Sequence, residues 1–193
     1  MRTAHSFVLA TAVCGMILVS LAFAGAAHAD PTPAAPSVIY LPLLTGGQTP
    51  PSDEPSAVAA EILALVNAER AAAGCGPLTL DTRLTAAAQS HSEDMATNNF
   101  FDHVGSNGSS PGARATAAGY NWRTVGENIA AGYTSAEAVM AGWMGSAGHR
   151  DNILNCAYTH LGVGFVYQPD DAPLAGVNWP YYRYWTQLFA APR

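Results

Sequence analysis

The apolar residues of this chain follow a helical spacing up to about residue 144 and a strand pattern from about residue 160. Helical spacing over 56–73, 81–98 and 134–144 predicts three amphipathic helices. Segments 161–167 and 181–189 are rich in aromatic and β-branched residues, which predicts two neighbouring antiparallel strands. Because helices come first and strands last, we expect an α+β fold in which helices pack on an antiparallel sheet.

Residues 1–29 have the features of a secretory signal peptide. An apolar run ends before Ala27-His28-Ala29, which matches a small-residue cleavage site. We expect a secreted, extracellular or cell-surface protein that begins near Asp30, although the run is also about as long as a short membrane anchor. Segment 30–55 contains seven prolines and predicts an extended linker, which leaves 56–193 as one folded domain without a membrane span.

The charge of the exported chain excludes several classes of function. Without the signal peptide, seven Arg stand against fourteen Asp and Glu, so the net charge is −7. This balance argues against nucleic acid and against anionic membrane surfaces as partners. Because the chain contains no Lys, Schiff-base chemistry is also excluded.

Two cysteines, Cys75 and Cys156, remain after removal of the signal peptide. In an oxidising compartment they most simply form one disulfide, and two buried free thiols are the alternative. A bridge across this loop would stabilise the fold by about 4–5 kcal/mol in the chain-entropy model.

Glu127 is an acid in a stretch of small and apolar residues, Gly126-Glu127-Asn128-Ile129-Ala130. A charge in such surroundings is rarely buried without a partner. One interpretation is a turn in which Glu127 accepts only backbone hydrogen bonds. The other gives it imidazole partners, because His103 and His149 follow the second and third helices. His91 lies on the inward stripe of the second helix, where a core histidine is the simpler interpretation.

The group His103, Glu127 and His149 supports two hypotheses. Two imidazoles and a carboxylate suit a divalent cation such as Zn²⁺, although their spacing is not that of a helical zinc motif. The same side chains could instead form a hydrogen-bonded network that fixes loops and has no catalytic role. A serine hydrolase is not indicated, because Met144 replaces the first glycine of the nucleophile motif, and Ser146 is predicted to cap a short helix.

Five motifs in sequence order resemble those of a known family. Their order is similar to that in the CAP superfamily of cysteine-rich secretory, antigen 5 and pathogenesis-related 1 proteins. The chain resembles the bacterial SCP-like extracellular branch of that superfamily over about residues 56 to 190. The motifs are Phe100-Phe101-Asp102-His103, Gly126-Glu127-Asn128-Ile129-Ala130, Trp143-Met144-Gly145-Ser146, Gly148-His149-Arg150-Asp151-Asn152-Ile153-Leu154 and Tyr184-Trp185-Thr186-Gln187-Leu188-Phe189.

The resemblance implies an α-β-α sandwich with a cavity that two His and two acidic residues line in animal and plant members. His103 and Glu127 match one half of that set. The other half is absent, because Ser146 stands in the place of the second acid and Tyr184 in the place of the second His. His149 is the expected substitute for the missing imidazole.

The resemblance also implies a function. Asn152 and Gln187 are expected as further polar groups of a cavity in a monomeric binding or interaction module. Its partner would be a small apolar ligand or an extracellular or cell-wall component. The alternative is a metal-assisted extracellular hydrolase or protease that uses Glu127 with His103 and His149. A third hypothesis is a cell-surface protein whose cavity has no function and whose proline-rich linker carries the role.

Overall fold

The computed structural model describes residues 54 to 193, so the predicted signal peptide and nearly all of the predicted linker lie outside the described residues. The predicted α+β fold is confirmed. The helices are α1 Pro55–Ala72, α2 Thr82–Thr97, α3 Pro111–Ala117, α4 Ala136–Gly145 and α5 Ala147–Ile153, and the strands are β1 Thr79–Leu80, β2 Trp122–Ala131, β3 His160–Tyr167 and β4 Arg183–Pro192. None of these helices is long and apolar enough to cross a membrane.

The strands form one sheet in the order β1-β3-β4-β2. β3 and β4 are antiparallel neighbours, as their sequences predicted, and β2 runs antiparallel to β4 on its other side. Only the two-residue β1 is parallel to its neighbour, β3. The sheet is therefore antiparallel except at one short edge, and β2 forms the opposite edge.

Helices cover both faces of the sheet and make the α-β-α sandwich that the family resemblance implied. α2 and α3 pack on one face, where Leu188 and Ala190 of β4 join their core. α1, α4 and α5 pack on the other face against Trp185, Phe189 and the apolar side chains of β3. Alternate residues of β4 thus enter two different cores, as the period of a strand requires.

Two segments that the sequence did not predict complete the sandwich. α3 has only seven residues and begins at Pro111, after Ser110 accepts a hydrogen bond from Ala113 N at 3.2 Å. A helix this short shows no apolar stripe, so its signal is the cap followed by proline. β2 was missed because its glycine and alanines do not resemble a typical strand.

A disulfide and a buried arginine hold the end of α1 to the segment between α5 and β3. The predicted Cys75–Cys156 bridge is confirmed. Beside it, Arg70 is fully buried and its guanidinium donates at 2.8–3.1 Å to four backbone carbonyls. These contacts satisfy the buried charge by hydrogen bonds, and the accepting residues are Gly76, Ile153, Asn155 and Tyr158.

The close approach of α2 to the sheet depends on two glycines of β3. A Cβ on Gly162 or Gly164 would collide with the backbone of α2 at Leu84 or Ala88. Since backbone cannot move aside as a flexible side chain can, no larger residue fits there without separating α2 from β3.

We predict that Gly164→Ala lowers the free energy of unfolding by about 3 kcal/mol, at the upper end for overpacking of a core. Urea unfolding of the purified protein measures this change. Gly148→Ala is the control, because a Cβ at Gly148 meets open space, and it should leave the stability unchanged or slightly raise it. Equal stability of Gly164→Ala and wild type would contradict the prediction.

Candidate functional site

A cavity of about 500 Å³ opens beside the end of β2. Its walls come from the loop after α2, the residues that end β2, and the helices α4 and α5. The volume lies within the range of small-molecule sites in proteins. Aromatic and polar side chains line it together, among them Phe101, Asp102, His103, Tyr133, Ser146 and His149.

Glu127 lies in β2 and is held by an imidazole and a guanidinium. His103 Nδ1 lies 2.8 Å from its Oε1, and Arg114 Nη2 lies 2.6 Å from its Oε2. The Glu127 side chain is only 2% exposed, so both oxygens are buried and both are paired. The interpretation of this stretch as a turn is therefore wrong, and the interpretation with an imidazole partner holds for His103.

His103 lines the cavity, and contacts with Glu127 and Arg114 set its orientation. Its hydrogen bond to Glu127 raises the pKa of the imidazole above its ordinary value, against the effect of burial. Arg114 also donates to the backbone carbonyl of His103 at 3.0 Å. Because Nδ1 is used by Glu127, Nε2 is the nitrogen left for a ligand.

His91 contributes to the same buried region but not to the cavity lining. Its Nε2 donates to the Asp102 carbonyl at 3.0 Å and lies 3.9 Å from Glu127 Oε1. Burial lowers the pKa of His91, so the neutral form with a proton on Nε2 fits this contact. His91 is thus a core histidine bonded to backbone, the simpler of the two interpretations of its sequence position.

His149 and Ser146 reach the cavity from its other side. Burial, followed by the charge of His103, lowers the pKa of His149 below the ordinary imidazole value. Ser146 occupies the predicted cap position of α5, but its side chain makes no capping hydrogen bond. The cavity therefore has a more basic imidazole on one wall and a less basic imidazole with a hydroxyl on the other.

Asn152 and Gln187, two predicted cavity residues, belong instead to a buried amide network. Asn152 Nδ2 donates to the Glu127 carbonyl at 3.1 Å and to Asn128 Oδ1 at 2.9 Å. Asn128 Nδ2 in turn donates to Gln187 Oε1 and to the His149 carbonyl, each at 3.0 Å. The network connects α5 to the sheet and so positions His149 without contacting a ligand.

Tyr184, also predicted for the cavity, is completely buried elsewhere. Its hydroxyl donates to the carboxylate of Asp171 at 3.1–3.2 Å. Burial, followed by the negative charge of Asp171, raises the pKa of Tyr184 far above its ordinary value. This tyrosine is a structural residue that stays protonated.

The predicted zinc ligands do not fit a metal ion in their present arrangement. Within residues 54–193, no three His, Cys, Asp or Glu side chains are grouped so that they could share one. Glu127 gives one oxygen to Arg114 and the other to His103, so neither is left for a cation. The second hypothesis, a hydrogen-bonded network, holds in part. It contains the contact between His103 and Glu127 but not the side chain of His149.

Sequence reasoning missed Arg114, the strongest partner of Glu127. No motif marks it, but the need of a buried acid for an opposite charge was already a signal. The guanidinium also holds the loop before α3, because Nη1 donates to the Ser109 carbonyl at 2.8 Å. One side chain therefore joins α3, β2 and the loop that carries His103.

Comparison with known proteins assigns the family. The family model of CAP, the cysteine-rich secretory protein family, matches residues 63–189. The chain belongs to the CAP family. An extracellular protein of Bacillus anthracis that contains an SCP domain is 31% identical and superposes with a TM-score of 0.60, over 70% of this chain and 41% of that one. An outer surface protein of Borrelia burgdorferi shares the fold at 17% identity, with a TM-score of 0.60 over 68% and 90% of the two chains.

Two Bacillus subtilis proteins are also similar in sequence to this CAP protein. YkwD is 44% identical over 115 residues, which are 58% of this chain and 45% of YkwD. The membrane protein YlbC is 41% identical over 104 residues, which are 54% of this chain and 30% of YlbC. The chain thus spans less than half the length of these relatives, so the likeness concerns the CAP domain.

We predict that the two cavity imidazoles of the CAP domain titrate in a fixed order, with the pKa of His103 above 6.5 and that of His149 below it. Proton NMR titration measures both, with His103→Gln and His149→Gln to assign the signals. Because the pKa of His103 is higher in the folded protein, its protonated form stabilises the fold below about pH 6.5, and this contribution disappears as the pH rises through the raised pKa. The reverse order would contradict the assignment.

We also predict that Arg114→Met lowers the free energy of unfolding by about 3–5 kcal/mol, because it leaves the Glu127 carboxylate buried without its cation. Arg83→Met is the matched control, since Arg83 is half exposed in its pair with Asp81, and it should lower the stability clearly less than Arg114→Met does. Urea unfolding measures both variants. Equal costs would show that burial does not strengthen the pair at Glu127.

Proposed function

We propose that the CAP domain is an exported binding module whose cavity takes a small ligand with an apolar body and one hydrogen-bonding group. The observation that carries this proposal is the oriented imidazole of His103 on the wall of a 500 Å³ cavity. Glu127 and Arg114 hold that side chain before any ligand arrives, so little conformational entropy is lost on binding.

The lining of the cavity supports a ligand that is mostly apolar. Phe101, Tyr133 and Tyr181 bring aromatic faces to it, and β2 contributes apolar side chains at its end. A few convergent polar groups among apolar walls are the usual composition of ligand sites. Ser146 and His149 can each hydrogen-bond a polar group of the ligand opposite His103.

The signal-peptide features of the sequence support a role outside the cell. The first 29 residues carry the features of a signal peptide, and the described CAP domain is joined to them by a proline-rich segment. Two proteins of similar fold are described as extracellular or as an outer surface protein. The proposed ligand is accordingly a component of the cell exterior or of the surrounding medium.

An extracellular hydrolase is the second candidate, and the His103–Glu127 contact is the observation that favours it. A carboxylate behind an imidazole is the arrangement that orients a general base, so Glu127 would be a positioning residue. However, Arg114 neutralises the same carboxylate, and the raised pKa of His103 makes a neutral imidazole scarcer at neutral pH. Binding is therefore the function that the geometry supports better.

Ser146→Phe should fill the cavity and weaken binding of a neutral fluorescent probe, N-phenyl-1-naphthylamine, at least 10-fold in the exported protein. Fluorescence titration measures this. Ser90→Phe is the matched control, because Ser90 lines a different depression between α2 and α3 and should leave the affinity unchanged. Unchanged affinity of Ser146→Phe would contradict the binding proposal. Hydrolysis of ester or peptide substrates that disappears in His103→Gln would favour the second candidate.

A further inference from the structure

Another depression, of about 370 Å³, lies beside the cavity along the segment that leads into β4. We call it the aromatic groove and define it by Tyr133, Trp179, Tyr181 and Tyr182. Ala131, Tyr133 and Tyr181 line both the groove and the cavity, so the two adjoin each other. Neither the motifs of the sequence nor the proposed cavity function accounts for Trp179 and Tyr182.

Large apolar side chains are exposed here more than elsewhere on the domain. Trp179 is 65% exposed, Tyr182 41% and Tyr133 38%, and Phe101 at the adjoining cavity is 42% exposed. They are four of the seven large hydrophobic residues exposed within residues 54–193. Such a concentration marks a contact surface, because scattered single residues are the ordinary case.

A buried carboxylate holds the backbone of the groove in place. The buried carboxylate of Asp171 accepts hydrogen bonds from Tyr181 N at 3.0 Å and from Tyr182 N at 2.8 Å. Tyr182 has a φ of 62°, a left-handed conformation that is unfavourable for a bulky residue. Strain of this kind persists where the surroundings enforce it, and it is typical of functional segments. Asp171 thus fixes a backbone that directs Tyr182 outward.

The charge of the groove selects the class of ligand. No acidic residue lines it, and its one cation, Arg183, lies 4.4 Å from the centre of the Tyr167 ring. The exported chain carries a net charge of −7, which repels polyanions, and the groove offers no carboxylate for a cationic ligand. Because the guanidinium of Arg183 lies over the Tyr167 ring and no carboxylate lines the groove, an uncharged ligand matches it best.

We propose that the aromatic groove binds a neutral polysaccharide of β-linked hexopyranose units. The axial C–H groups of such a sugar form an apolar face that stacks on an aromatic ring, while its hydroxyl groups remain at the edges to form hydrogen bonds. Trp179 and Tyr182 offer exposed rings, and the tyrosine hydroxyls and backbone groups offer hydrogen bonds.

This proposal goes beyond the proposed binding function, because the groove would take a polar sugar and the adjoining cavity a mostly apolar ligand. A lipid chain is disfavoured in the groove. The aromatic rings of the groove are exposed to water, and three of them carry hydroxyls. An extended peptide is the competing ligand, because β2 is an edge strand that could pair with it. The exposed ring of Trp179, which lies outside the sheet, favours the sugar.

Isothermal titration of the exported protein with N-acetylchitohexaose and cellohexaose tests the proposal. We expect saturable binding of at least one of them, weakened at least 10-fold by Trp179→Ala and largely retained by Trp179→Phe, which keeps a ring. Leu80→Ala is the matched control, because Leu80 is 39% exposed on β1 at the opposite edge of the sheet, and it should bind as wild type does.

Three results would overturn the proposal. They are the absence of saturable binding to both oligosaccharides, equal affinity of Trp179→Ala and wild type, and binding of a random decapeptide library in place of the sugars. The naphthylamine probe keeps the two functions distinguishable. If the probe binds and Ser146→Phe abolishes its binding while the sugars fail, the cavity function stands and only the groove proposal is lost.

Discussion

The buried carboxylate of Glu127 is the constraint on which the site depends. A charge with 2% exposure requires partners, and it finds them in Arg114 of α3 and His103 of the loop after α2. Because Arg114 also donates to the His103 carbonyl, the loop is fixed at both its backbone and its side chain. Removing the acid would therefore release the cavity wall, even though the acid itself does not line the cavity.

The stretch from Gly126 to Ile129 shows how one strand organises both layers of helices. A Cβ on Gly126 would meet the side-chain ends of Tyr158 and Asn152, so a larger residue would displace the amide that joins α5 to β2. Glu127 points to the α2–α3 layer, and Asn128 points to the other layer, where it meets the His149 carbonyl. Alternation along the strand thus places His103 and His149 on opposite walls of one cavity.

Periodic patterns predicted α1, α2, α4, β3 and β4, because long apolar stripes and aromatic strands depend on local sequence alone. The disulfide followed from counting cysteines. Arg114 could not be found in this way, since its importance comes from a tertiary contact with no motif around it. Gln187 and Tyr184 were predicted for the cavity from their motif, but their strand buries them, and a motif does not tell which face of a strand a side chain occupies.

At Tyr184 the chain departs from the family pattern and gains a contact that a histidine does not make. The family resemblance expects a histidine at this position, and the tyrosine, which does not line the cavity, donates to Asp171. The same carboxylate accepts from the backbone of Tyr181 and Tyr182, so its negative charge is shared by three donors. A histidine is shorter and lacks the hydroxyl that Asp171 uses here. Tyrosine in place of histidine at residue 184 therefore leaves the cavity with one imidazole fewer. It adds a hydrogen bond to Asp171, the residue that holds the backbone of the aromatic groove.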